Sequence, residues 1–115
     1  MNQSFGKDRR LLTQSDYTAV FNAPEERSSD RYFTVLGRCR EQGMSRLGLA
    51  IAKRRIARAH ERNRLKRLVR ESFRTHHFKN DRSLDVVLLA KSAAKDADNA
   101  RLIASLERHW RKIKL

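Results

Sequence analysis

The feature that most narrows what this chain can fold into is the stretch Lys53 to Arg74, KRRIARAHERNRLKRLVRESFR. It holds ten Lys and Arg residues against Glu61 and Glu71, so +8 of the chain's formal +14 lies in 22 of its 115 residues. A segment this charged belongs in a folded protein only if it is two-sided. At ~100° per residue, Leu65, Leu68, Val69, Ser72 and Phe73 share one face of a helix. Arg62, Asn63, Lys66, Arg67, Arg70 and Arg74 take the opposite side, with the small Ala59 among them. One face docks on a core and the other meets a polyanion.

The rest of the chain must supply that core. Its length fits a single domain, 1–115, with a modest interior. The hydrophobic fraction of 39% and eight aromatic residues indicate a folded protein despite 35% charged residues. A pI near 11.2 favours nucleic acid or, less specifically, an anionic membrane surface. Membrane insertion is not expected, because the longest apolar run, Val86 to Ala90, is far short of a span. The N-terminal MNQSFGKDRRLL has no apolar core of a secretory signal. Cys39 is alone, so no internal disulfide forms, which suits a reducing cytoplasm.

Taken in order, residues 1–12 read as a flexible basic segment that offers Lys7, Arg9 and Arg10 to phosphate. Thr13 and Asp16 have the spacing of a capping box, which starts a short helix running to Asn22. Tyr17, Val20 and Phe21 share one of its faces. Pro24 ends it, and Glu25 to Asp30 read as a polar loop. Arg31 to Arg40 alternates with period two, with Phe33, Val35, Gly37 and Cys39 on one face and Tyr32, Thr34, Leu36, Arg38 and Arg40 on the other. A turn at Gln42-Gly43 leads to Arg46–Lys53, and the two strands are expected to pair as an antiparallel hairpin. In that second strand Gly48, Ala50 and Ala52 make one face shallow, fit for a packed helix or a ligand. Leu84 to Ala90 is a continuous apolar run, the mark of a strand covered on both faces, and the strand–helix–strand succession predicts that it runs parallel to Arg46–Lys53. Asp96 or Asp98 caps a final amphipathic helix, Ala100 to Ile113, with Leu102, Ile103, Leu106, Trp110 and Ile113 on its apolar side. The expected fold is an α+β single-domain sandwich of order αββ(β)αβα, containing a β-α-β crossover.

A protein-based catalytic centre is not expected. His60, His76, His77 and His109 form neither an HExxH motif nor a zinc-spaced cluster. The acidic residues are not gathered into a two-metal site, and there is neither a Gly-rich phosphate loop nor a GxSxG motif. No catalytic residue and no metal ligand is therefore assigned. Nucleic-acid binding is well provided for. The basic segment favours Arg, whose planar fork bridges phosphate oxygens, and Asn63 adds a group that both donates and accepts, suited to a base edge or a 2′-hydroxyl. Tyr17, Phe21 and Phe33 can line a groove between the first helix and the sheet on which unpaired bases stack, although core packing is the commoner fate of such residues.

The run Arg58-Ala59-His60-Glu61-Arg62-Asn63-Arg64-Leu65-Lys66-Arg67-Leu68 resembles the RNR signature of the bacterial ribonuclease P protein subunit, in a proteobacterial-like form. RLGLAIAK before it, RESFR after it, RLLTQSDYTAVF near the start and LDVVLLAK further on are also similar to that family at the expected separations, so the resemblance covers nearly the whole chain. It implies an accessory protein to a catalytic RNA that removes the 5′ leader from precursor tRNA, with Mg²⁺ held mainly by the RNA subunit and substrate and no protein partner required. It implies RNA-subunit contacts through Arg54, Arg58, Arg62, Asn63, Arg64, Lys66, Arg67 and Arg70. It also implies a leader-binding cleft at Arg10, Tyr17, Phe21, Phe33, Val35 and Lys53, with Tyr17 standing where many members have Phe. The crossover is implied to be left-handed, against the general rule, in a ribosomal-protein domain-2-like fold. Two other readings compete: a structural RNA-binding protein such as a ribosomal protein or RNA chaperone, and a protein-only metal nuclease, for which acidic ligands are wanting.

Overall fold

The computed structural model describes residues 13–41, 43–76, 78 and 83–115. Helix α1 (Gln14–Asn22) begins where the sequence places it. The Thr13 side chain accepts from the Asp16 amide while the Asp16 carboxylate accepts from the Thr13 amide, completing the capping box. Strands β1 (Glu26–Ser29), β2 (Phe33–Cys39) and β3 (Arg46–Ala50) follow, then the basic helix α2 (Ala59–Thr75) and strand β4 (Leu84–Ala90). A 3₁₀ turn (Ser92–Asp96) leads to α3 (Asn99–Lys112), which is capped by Asp98 accepting from the Arg101 amide.

The sheet order is β1-β2-β4-β3. Strand β4 runs parallel to β3, as the strand–helix–strand succession requires, and antiparallel to β2. The expected β2–β3 hairpin is therefore incorrect: β4 lies between the two strands. Its apolar run explains why. Leu84, Val86, Leu88 and Ala90 face α2 and α3, while Val87 and the half-buried Leu89 face α1. Only the centre of the sheet covers both faces of such a strand while pairing both of its edges. The polar loop expected over 25–30 is also incorrect. Glu26–Ser29 forms an edge strand paired with Thr34–Gly37.

Three layers result: α1, the sheet, and α2 with α3. The main core lies between the sheet and the helix pair. There Leu65, Val69 and Phe73 of α2 meet Leu102, Leu106 and Trp110 of α3, all fully buried. Phe73 and Trp110 pack edge to face with centroids 5.7 Å apart, and the Trp110 indole N–H donates to Ser72 Oγ at 2.9 Å. Ser72 thus belongs on the buried side for a reason that its polarity hides. On the opposite sheet face a smaller cluster, Val20, Leu36 and Val87, seats α1, with Tyr17 and Leu89 packed against it.

Candidate nucleic-acid interface

The basic segment is helical only from Ala59. Before it, residues 53–56 form a turn, with Ile56 fully buried as an anchor. Arg62 reaches back to hold this turn, donating to the carbonyls of Ile56 (2.9 Å) and Ala57 (2.7 Å). Arg64 turns the other way. Its guanidinium donates to Asn99 Oδ1 at 2.6 Å and to the carbonyls of Ala97 and Lys95 at 3.2 and 3.3 Å, clasping the entry to α3. Two of the arginines assigned to an external partner thus already have partners inside the fold. Arg74 pairs with Glu71 one turn away, and this pairing lowers the Glu71 pKa.

The remaining groups form one stripe. Asn63, Lys66, Arg67 and Arg70, with Glu71 and Arg74 beside them, line a shallow concavity. No hydrogen bond or ion pair to a described residue engages Lys66, Arg67 or Arg70. From residue 63 to 74 this stripe spans about 16 Å of helix at 1.5 Å per residue. Arg58 occupies the N-cap position in extended conformation and is exposed, lining a separate concavity with Ala57, Glu61, Lys95 and Asp96. Lys66, Arg67 and Arg70 at helical spacing, without partners among the described residues, are an arrangement for a phosphate backbone.

A second concavity lies on the other face of the sheet. It is a groove of about 600 Å³, lined by Phe21 of α1, Thr34 and Leu36 of β2, Leu89 of β4, and Ala50 and Ala52 at and beyond the end of β3. Arg27, Arg54, Arg55 and Lys91 also line it. Phe21 is 43% exposed, unusual for a phenylalanine. The floor is apolar and small, and the surround is cationic. Lys91 is tied back to Ser29 Oγ and the Asp30 carbonyl, which fixes its position.

The groove differs in membership from the cleft expected from sequence. Phe33 and Val35 are corrected: both are fully buried on the opposite face of the sheet, in the core beneath α2 and α3, and neither lines the groove. Strand β2 does alternate with period two, and Thr34 and Leu36 are the residues on the α1 side. Tyr17 is half-buried, its ring packed over Gly48 and its hydroxyl accepting from the Leu49 amide at 3.1 Å. Lys53 is exposed in the turn after β3, outside the groove lining, while Arg54 lines the groove and does not lie on α2. Arg10 lies outside the described residues. Arg27 and Lys91 were missed. Arg27 sits on the unrecognised β1, and nothing in sequence brings Lys91 to Ser29.

Also unforeseen is a buried polar cluster between the β1–β2 turn and α3. Ser28 Oγ lies 2.6 Å from His109 Nδ1, and His109 Nε2 approaches Asp30 Oδ1 at 3.2 Å without good hydrogen-bond alignment. Burial lowers the His109 pKa, partly opposed by Asp30. Burial raises the Asp30 pKa, but hydrogen bonds from Ser105 and from the Phe33 and Tyr32 amides, with the His109 ring close by, outweigh it and bring it to about 2. The cluster joins the β1–β2 turn to α3 and is structural.

On the α1 side of the sheet the carboxylates are engaged by an arginine. Asp85 is held by Arg46 through two 2.8 Å hydrogen bonds, and Asp16 also lies 3.4 Å from Arg46. Among the described residues no three His, Cys, Asp or Glu side chains cluster as metal ligands, and no helix is long and apolar enough to cross a membrane.

The comparisons agree with this geometry. The family model described as Ribonuclease P matches residues 5–114. The ribonuclease P protein component of Yersinia enterocolitica is 47% identical over 109 residues, covering 95% of this chain and 90% of that protein. That of Pectobacterium atrosepticum is 45% identical over the same shares. Among solved structures, the RNase P protein of Staphylococcus aureus superposes with a TM-score of 0.83 at 26% identity, over 95% of this chain and all of that one. The Thermotoga maritima RNase P protein gives 0.73 at 27%, over 89% and 96%. With the family model matching residues 5–114, relatives 45–47% identical over 95% of the chain and the fold in common, the chain belongs to the ribonuclease P protein family.

Proposed function

We propose that this chain is the protein subunit of ribonuclease P, assisting a catalytic RNA in endonucleolytic removal of the 5′ leader from precursor tRNA. The observation that carries the proposal is the presence of two separate polyanion-facing surfaces on one small domain. The α2 stripe at Asn63, Lys66, Arg67 and Arg70, with Arg58 at the helix N-cap, offers donors to the structured RNA subunit. The groove under Phe21, apolar-floored and surrounded by Arg27, Arg54, Arg55 and Lys91, suits a single strand whose bases stack and whose phosphates are neutralised. A purely structural RNA-binding protein needs only the first surface. In this reading the RNA carries out the chemistry, and Mg²⁺ is held mainly by the RNA and the substrate. The setting is the cytoplasm, and the partners are the catalytic RNA and the precursor's leader.

The test is reconstitution with the cognate catalytic RNA at low Mg²⁺. Addition of the protein should stimulate 5′ processing of precursor tRNA. Absence of stimulation, with RNA binding retained, would favour the structural RNA-binding reading instead.

A further inference from the structure

Helix α1 is lightly seated. Val20 is its single fully buried residue, yet Phe21 at its end must stand at a fixed height above the groove. Two pins on strand β3 hold it, side by side. At the first, the Tyr17 ring lies so close to Gly48 that a Cβ there would sit 2.8 Å from Cε1, Cζ and the hydroxyl oxygen. The hydroxyl is itself fastened, accepting from the Leu49 amide at 3.1 Å and donating to the Leu49 carbonyl at 3.4 Å, so the ring has little freedom to yield. At the second, Arg46 grips Asp85 with both nitrogens and lies 3.4 Å from Asp16, the residue that also closes the cap of α1.

Arg46, Gly48 and Ala50 alternate along one face of β3: the first two are covered by α1, and the third lines the open groove. The periods match. Tyr17 to Phe21 is about one helical turn, roughly 6 Å, and Gly48 to Ala50 is a two-residue strand step, roughly 6.6 Å. Fixing Tyr17 on Gly48 therefore fixes Phe21 over the floor beside Ala50.

We infer that Gly48 and the Arg46–Asp16 pair are positioning residues for leader recognition: they set the height of α1 above the sheet, and Tyr17 serves as the seated pin through which Gly48 acts. The inference rests on the groove reading of the proposed function. It explains why the shallow face of β3 needs a glycine at one position and tolerates alanine at the next.

The experiment uses the holoenzyme reconstituted with its catalytic RNA, and compares affinity for precursor tRNA with a long leader, a truncated leader, and mature tRNA. Gly48→Ala should lower the affinity gained from the longer leader by about five- to tenfold, part of one lost base stack, with mature tRNA affinity unchanged. In a Tyr17→Ala background the same substitution should add less than about twofold, because no ring remains to be displaced. Asp16→Asn, which keeps an acceptor for the helix cap, gives a second route if Gly48→Ala folds poorly, and should reduce the leader gain in the same direction. Unchanged leader gain in the folded variants, or full additivity of Gly48→Ala with Tyr17→Ala, overturns the inference. If the unsubstituted protein shows no leader-dependent gain, the groove reading itself fails, and this inference with it.

Discussion

At the scale of the residue, arginines of similar appearance in the basic segment divide into two kinds. Arg64 fills the acceptors of Asn99, Ala97 and Lys95, and Arg62 those of Ile56 and Ala57, whereas Arg67 has no partner among the described residues. Arg64→Ala should therefore lower unfolding free energy by ~1 kcal/mol, because the half-buried Ala97 carbonyl and the more exposed Asn99 and Lys95 acceptors lose a charged donor. Arg67→Ala should leave stability within ~0.5 kcal/mol while reducing the salt slope of RNA binding by about one. Denaturant melts of the two variants beside salt-dependent binding decide this; equal stability would show the Arg64 clasp to be idle. Sequence gave no means of making the division. Helical spacing placed all of them on a polar surface, and the acceptors that capture Arg64 lie about 30 residues later in the chain. The same limit explains Phe33 and Val35. Period-two alternation separates a strand into two faces without saying which face looks toward which helix. The reading that followed the family cleft put these two on the α1 side, and packing puts them beneath α2 and α3.

At the scale of the element, helices were the most legible. The Thr13–Asp16 box, the Asp98 cap and the apolar stripes of α2 and α3 are local patterns, and local patterns survive tertiary packing. Strand β4 was legible in extent and in its direction relative to β3, because a wholly apolar run must be covered on both faces. Its position between β2 and β3 contradicted sequence adjacency. Strand β1, ERSS, has no apolar residue to announce it, and its inward Ser28 is satisfied by His109 from 81 residues away. That joint between β1 and α3 carries a pH dependence. The fold holds His109 below its ordinary value of 6.5, so below that pH the unfolded chain takes up a proton that the native state resists. Stability should fall on acidification from about 6.5 toward the lowered native value. Asp30 adds a second loss as pH falls below 3.8 toward about 2, since its carboxylate is favoured in the fold. Thermal melts of unsubstituted protein and His109→Gln between pH 7 and 5 test this; the unsubstituted protein should show the steeper decline, and parallel curves would place the titration elsewhere.

At the scale of the whole molecule, the domain presents cationic surfaces on both sides of its sheet: the α2 stripe beyond one face and the groove on the other. Neutralising ~6–8 phosphates should give log affinity for RNA a slope of roughly −4 to −7 against log salt. A slope near −1 would mean that most of the +14 charge never touches the polyanion. The central claim is that the two surfaces do different work, one holding the catalytic RNA and the other the leader. The most direct measurement pairs Phe21→Ala with Arg67→Ala in the reconstituted holoenzyme, recording affinity for the catalytic RNA and for precursor tRNA as leader length is varied. Phe21→Ala should erase much of the gain from a longer leader and leave catalytic-RNA affinity alone, while Arg67→Ala should weaken assembly with the catalytic RNA and leave the leader-length dependence intact. Equal losses in both quantities for both variants would contradict the division of labour.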